Sequence, residues 1–127
     1  MELHIVFFNN KYKKFEDAVN HSDGITVIGY FIQSNANASS NKWLVKALKK
    51  IRETNAYAII EADDDDIFTI FDIIKKDSFS FYSYKGSLTT PPCSECVTWI
   101  IAEKPLQFHP NDVMAFYYLS IKISKLI

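Results

Sequence analysis

Residues 2–8 alternate so that Glu2, His4, Val6 and Phe8 share one face of an extended strand, while Leu3, Ile5 and Phe7 occupy the other. One face is wholly apolar; the other carries a carboxylate and an imidazole. A polar turn at Asn9, Asn10 and Lys11 follows, and Phe15-Glu16-Asp17-Ala18-Val19 predicts a short helix that ends near Gly24. Residues 25–32 form a nearly continuous apolar run, the pattern of a strand buried on both faces. In residues 33–41, Ser, Asn and Ala replace the large apolar side chains, which predicts a loop. Residues 42–54 then read as an amphipathic helix, with Trp43, Leu44, Ala47, Leu48 and Ile51 on one stripe and Lys42, Lys46, Lys49 and Lys50 forming a solvated face. Residues 79–84 and 95–102 read as strands flanking Gly86-Ser87-Leu88-Thr89-Thr90-Pro91-Pro92, and residues 113–119 as a last short helix.

The 127 residues are 48% hydrophobic and 15% aromatic, enough for one small core and not obviously for two domains. Fourteen basic residues against fifteen acidic give a formal net charge of -1, so no broad attraction to nucleic acid or anionic lipid is expected. No stretch approaches the roughly 20 apolar residues of a membrane-spanning helix. No secretory leader opens the chain, so the protein is expected to be intracellular or to begin upstream of Met1. Four consecutive carboxylates at residues 63–66 lack the alternating oxygen ligands and the glycine of a calcium loop and read as solvated. Cys93 and Cys96 have the spacing of a redox or metal-binding pair. The Pro91-Pro92 before them is unlike a redox turn running into a helix, and no second pair completes a zinc ribbon.

A histidine two residues after a glutamate on one strand face is, alone, a partly exposed polar pair. Its company changes that reading. Glu2-Leu3-His4-Ile5-Val6, Tyr12, Asp17-Ala18-Val19, Asp23-Gly24-Ile25, Val27-Ile28-Gly29, the Gly86 to Pro92 block and Glu95-Cys96-Val97-Thr98-Trp99 occur in the order and approximate spacing of α-carbonic anhydrases. The chain resembles that family from residue 2 to about Phe116, with a poorly matching patch between Gln33 and Asp77.

The resemblance implies a mainly β fold, a twisted central sheet with short surface helices, and a zinc cofactor in the complete domain. It implies that His4 is a zinc ligand and Glu2 the carboxylate that holds the ligand's other ring nitrogen, an arrangement that fixes the tautomer. Thr89 resembles the threonine that accepts a hydrogen bond from zinc-bound hydroxide. Val6, Val27, Leu88 and Trp99 match the apolar wall that receives carbon dioxide, and Thr90 the polar residue beside it. Phe7 and Phe8 stand where family members often have histidine and tryptophan.

The family's other two zinc histidines form a His-x-His pair on an earlier strand, ahead of the segment matched here. His21 and His109 map instead to a surface helix end and a later turn. Residues 1–127 therefore read as a partial domain lacking the N-terminal part and the extreme C-terminus. The parent's expected function is reversible zinc-dependent hydration of carbon dioxide to bicarbonate, with this chain alone inactive. Two other readings are a non-catalytic binding module, like the carbonic anhydrase-related proteins, and a truncated gene product without independent function. Cys93 matches a cysteine that, in exported members, pairs with one near the N-terminus. That match implies an extracellular or membrane-anchored parent with a disulfide from Cys93. Cys96 reads as a small buried hydrophobe.

Overall fold

The computed structural model describes residues 1–40 and 80–115. The chain divides into two compact units, Met1–Ile32 with Phe79–Leu106, and Gln33–Ser78 with Gln107–Ile127. Among the described residues the strands are β1 (Glu2–Phe8), β2 (Ile25–Ser34), β3 (Phe81–Gly86), β4 (Val97–Ala102) and β5 (Leu106–Phe108), and a short helix, α1 (Phe15–Ala18), lies between β1 and β2. They build a mixed sheet in the order β1-β2-β4-β3, with β5 also pairing β2. This is the mainly β architecture expected from the sequence.

In the first unit, β1 runs antiparallel to β2 with His4 opposite Gly29 and Val6 opposite Val27. β2 runs parallel to β4, placing Val27 beside Trp99 and Gly29 beside Ile101. β3 closes antiparallel on β4, with Tyr84 opposite Trp99 and Gly86 opposite Val97. Because side chains alternate along a strand, these registers put His4, Gly29, Trp99 and Tyr84 on one face.

The same face carries the core. Ala18, Ile25, Val27, Cys96, Val97 and Trp99 form one buried cluster, and Tyr12, Val19, Leu88 and Ile101 pack against it. Burying an isoleucine or valine of this kind contributes about 1.5–3 kcal/mol. Along β2 and β4 the face thus passes from a closed core at Ile25 and Val97 to a more open end at Gly29 and Ile101, with Trp99 between.

Local chemistry explains how the chain leaves β1 and returns in β2. The Asn9 side chain accepts from the Lys11 N–H at 3.1 Å and starts a single 3-10 turn, which ends where Lys13 takes a left-handed backbone with φ 63°. Glu16 and Asp17 in the first turn of α1 complement its dipole. Gly24 then passes so close to α1 that a Cβ there would overlap the Ala18 carbonyl. Its own carbonyl accepts from the Asn9 N–H at 2.7 Å, tying the end of β1 to the start of β2. Beside this turn the Tyr12 hydroxyl donates to Asp23, and that bond, aided by Lys11, holds the Asp23 carboxyl below its usual range. His21 stacks on Tyr12 with ring centroids 4.0 Å apart, in keeping with its surface position.

Several sequence expectations shift. β2 is not buried throughout on both faces: Ile25, Val27, Gly29 and Tyr30 are buried, Thr26, Ile28 and Ile32 half-buried, and Phe31 is 54% exposed. The strand also continues through Gln33 and Ser34, expected as loop, because the ladder offers partners that override polar composition. The Ile32 N–H donates to the Met1 carbonyl, and beyond it β5 pairs β2. β3 lies two residues later than expected, its register fixed by β4 from Phe81 opposite Ala102 to Gly86 opposite Val97. β4 starts at Val97 and not Glu95, after a turn in which the Cys93 N–H donates to the Thr90 carbonyl.

In the second unit the Asn35 N–H donates to the Phe108 carbonyl and the Gln107 amide to Gln33. Residues 110–115 are helical, starting earlier than the expected 113. The His109 ring accepts from the Asn111 N–H and Pro110 takes the first helical position, together a good helix start. The helix expected over 42–54, the acidic run at 63–66 and the end of the helix expected over 113–119 lie outside the described residues.

Candidate functional site

β1 presents Glu2 and His4 on one face because they are two apart on a strand. The His4 Nε2 lies 3.3 Å from a Glu2 carboxylate oxygen, with the imidazole about one-third exposed. That contact turns Nε2 toward the carboxylate and leaves Nδ1 as the nitrogen available to a metal. The opposite strand position is Gly29, where a Cβ would lie 2.8 Å from Ile101 Cδ1 and 3.8 Å from both His4 and Trp99. Glycine here lets the imidazole and the indole come together over the strand. They meet edge-on, with centroids 5.0 Å apart and an interplanar angle of 71°.

A cavity of about 440 Å³ opens on this face, and Glu2, His4, Thr89 and Trp99 line it together with Gly29, Tyr84, Gly86 and Ser87. Thr89 arrives from the loop between β3 and β4. The Leu88 N–H donates to the Ser94 carbonyl at 3.0 Å, and the Trp99 indole N–H donates to the Ser87 carbonyl at 3.2 Å. The Pro91-Pro92 bond in this loop is cis.

The structure thus gathers four of the expected site residues and places the other four elsewhere. Val27 belongs to the core cluster and Leu88, half-buried, packs against it. Val6 is 50% exposed on β1, and Thr90, exposed in the loop, spends its carbonyl on Cys93. None of these four lines the cavity. Tyr84, Gly29, Gly86 and Ser87 do, and sequence reasoning did not single them out. A glycine inside a strand pattern is the signal that points to two of them.

His4 provides a suitable imidazole for zinc, but among the described residues no three His, Cys, Asp or Glu side chains converge to hold a metal ion. These residues fit one corner of a zinc site and not a whole one. Among the described residues no helix is long and apolar enough to cross a membrane.

Cys93 is exposed and Cys96 buried, and both are free thiols. Burial pushes the Cys96 thiol above its ordinary pKa, which keeps it protonated and unreactive. Iodoacetamide applied to the native protein is therefore expected to alkylate Cys93 and to spare Cys96 until denaturant is added. Peptide mapping checks this, and equal labelling of both cysteines would contradict the burial of Cys96.

Comparison with known proteins agrees with this geometry. A family model described as eukaryotic-type carbonic anhydrase matches residues 1–125. The chain is similar to human mitochondrial carbonic anhydrase 5A, with 34% identity over 116 residues covering 91% of this chain and 36% of that protein. It is also similar to human carbonic anhydrase 3, at 35% identity over 90% of this chain and 41% of that protein. Bovine carbonic anhydrase 3 gives 32% identity over 88% of the chain and 41% of its own length. The chain spans about two-fifths of the length of these relatives. With the family model covering nearly every residue and the Glu2–His4 pair facing Thr89 and Trp99 across one cavity, the chain belongs to the eukaryotic-type carbonic anhydrase family.

Proposed function

We propose that residues 1–127 are the part of a carbonic anhydrase that supplies one zinc ligand and the substrate side of the centre, in a parent protein that interconverts carbon dioxide and bicarbonate. The observation that carries this reading is the Glu2–His4 pair, with Nε2 turned to the carboxylate, in the same cavity as Thr89 and Trp99. In this reading His4 holds the metal through Nδ1. Glu2 fixes the tautomer and raises the basicity of the ring. Thr89 orients the attacking oxygen by accepting its proton in a hydrogen bond. Trp99, with Val6, Val27 and Leu88 behind and beside it, provides apolar surface suited to an uncharged substrate, and Thr90 adds a polar group at its edge.

Zinc in a complete site supplies acidified water, and such a site uses three protein donors. One imidazole is too few, so residues 1–127 alone are proposed to be inactive. Export is not part of the proposal. Cys93 has no cysteine partner within the described residues, and one relative carries a mitochondrial location in its name.

The test compares residues 1–127 alone with the same chain joined to, or mixed with, the remaining part of the parent. Stopped-flow assays of zinc-loaded samples are expected to show sulfonamide-sensitive hydration only when both parts are present. Hydration by residues 1–127 alone would overturn the proposed inactivity. A reconstituted protein that binds zinc stoichiometrically yet hydrates no carbon dioxide would replace the enzymatic reading with that of a binding module.

A further inference from the structure

We propose that Trp99 is a positioning residue: its indole N–H straps the loop that carries Thr89 to the sheet, in a seat that Gly86 keeps open. The functional half of this inference rests on the carbonic anhydrase reading; the structural half does not. Three contacts converge on one ring. The Nε1–H donates to the Ser87 carbonyl at 3.2 Å, two residues before Thr89. A Cβ at Gly86 would stand 3.0 Å from Trp99 Cδ1 and 3.3 Å from Nε1, so a larger residue there would require the indole to give by a few tenths of an ångström, at the end of the ring that carries the N–H. Tyr84 stacks near-parallel to the indole at 6.4 Å, with an interplanar angle of 16°.

The ring is 7% exposed and belongs to the buried cluster, so its orientation is set by packing and its N–H needs a partner. Ser87 supplies that partner. The same ring meets His4 in a T-shaped contact, so a single rigid side chain touches both the imidazole and, through its N–H, the Thr89 loop. Burial alone requires that the N–H be paired; what ties it to the site is that its partner lies two residues before Thr89 and that a glycine stands beside the indole. The pair Gly86 and Trp99 is one device written at two places in the chain.

The experiment uses the full-length parent with zinc bound and the variants Trp99→Phe, Gly86→Ala and the double variant. Phenylalanine keeps the ring and removes the N–H; alanine at 86 reaches the same bond from the other side. Each single variant is expected to speed hydrogen exchange of the Leu88 amide roughly fivefold, while the β4 amides stay protected. Each is expected to lower kcat/KM for carbon dioxide about tenfold through displacement of Thr89, with zinc stoichiometry unchanged. The double variant is expected to be no worse than the poorer single one. A wild-type Leu88 exchange rate in both single variants, or losses that add fully in the double variant, would overturn the strap. If the wild-type parent itself hydrates no carbon dioxide, the functional reading fails, and the exchange rates alone decide whether the strap exists.

Discussion

His4→Ala in the full-length parent is expected to remove zinc-dependent hydration altogether and to weaken zinc binding by several orders of magnitude. The substitution deletes a donor that no neighbouring side chain can replace. Among the described residues that line the cavity, Glu2 is the one other His, Cys, Asp or Glu. Glu2→Gln keeps the donor but replaces a carboxylate by an amide, which accepts less strongly from Nε2. A loss of about 10–100-fold in zinc affinity is expected, the usual effect of removing such a partner. Competition with a chelator measures both. Unchanged affinity in His4→Ala would show that Nδ1 is not a ligand and would remove the basis of the proposed function.

Thr89→Ala is expected to leave zinc bound and to lower turnover by about a hundredfold, the scale of losing orientation at a reacting atom. Thr89 is exposed in the loop and the alanine variant should fold normally, so the loss would be one of chemistry and not of stability. The discriminating result is the separation between the two variants. His4→Ala loses metal and activity together, whereas Thr89→Ala loses activity alone. A Thr89→Ala enzyme with wild-type turnover would exclude the orienting role.

Much of this site was legible in the chain itself. Alternation across residues 2–8 predicts that Glu2 and His4 share a face, and the observed register confirms it, because the period of a strand is two whatever lies around it. The Ser-Leu-Thr-Thr-Pro-Pro block marks the loop that brings Thr89 to the cavity. What could not be read were the facts that depend on which strand lies beside which. The parallel pairing of β2 with β4 seats Val27 against Trp99 in the core, away from the cavity. The register of β3 on β4 sets Tyr84 opposite Trp99 and brings Gly86 against the indole. Residue type says nothing about such partners. Likewise, hydropathy gave β2 two buried faces, whereas each face is covered only in part, one of them ending at the exposed Phe31.

The parallel pairing of β2 with β4 also bears on the order in which the site can assemble. β1 with β2, and β3 with β4, are antiparallel pairs of strands near one another in sequence. β2 and β4 are far apart in the chain, so their pairing closes a long loop and carries the larger entropic cost. Each antiparallel pair can form early, and each brings with it half of the site: Glu2 and His4 in one, Tyr84 and Trp99 in the other. Non-local pairing is the slow class of event in folding. The cavity lies on the seam between the halves, and the His4–Trp99 edge contact spans that seam. Quenching of Trp99 fluorescence by His4 would therefore follow the closure of this seam, the event that turns two separate ladders into one binding surface.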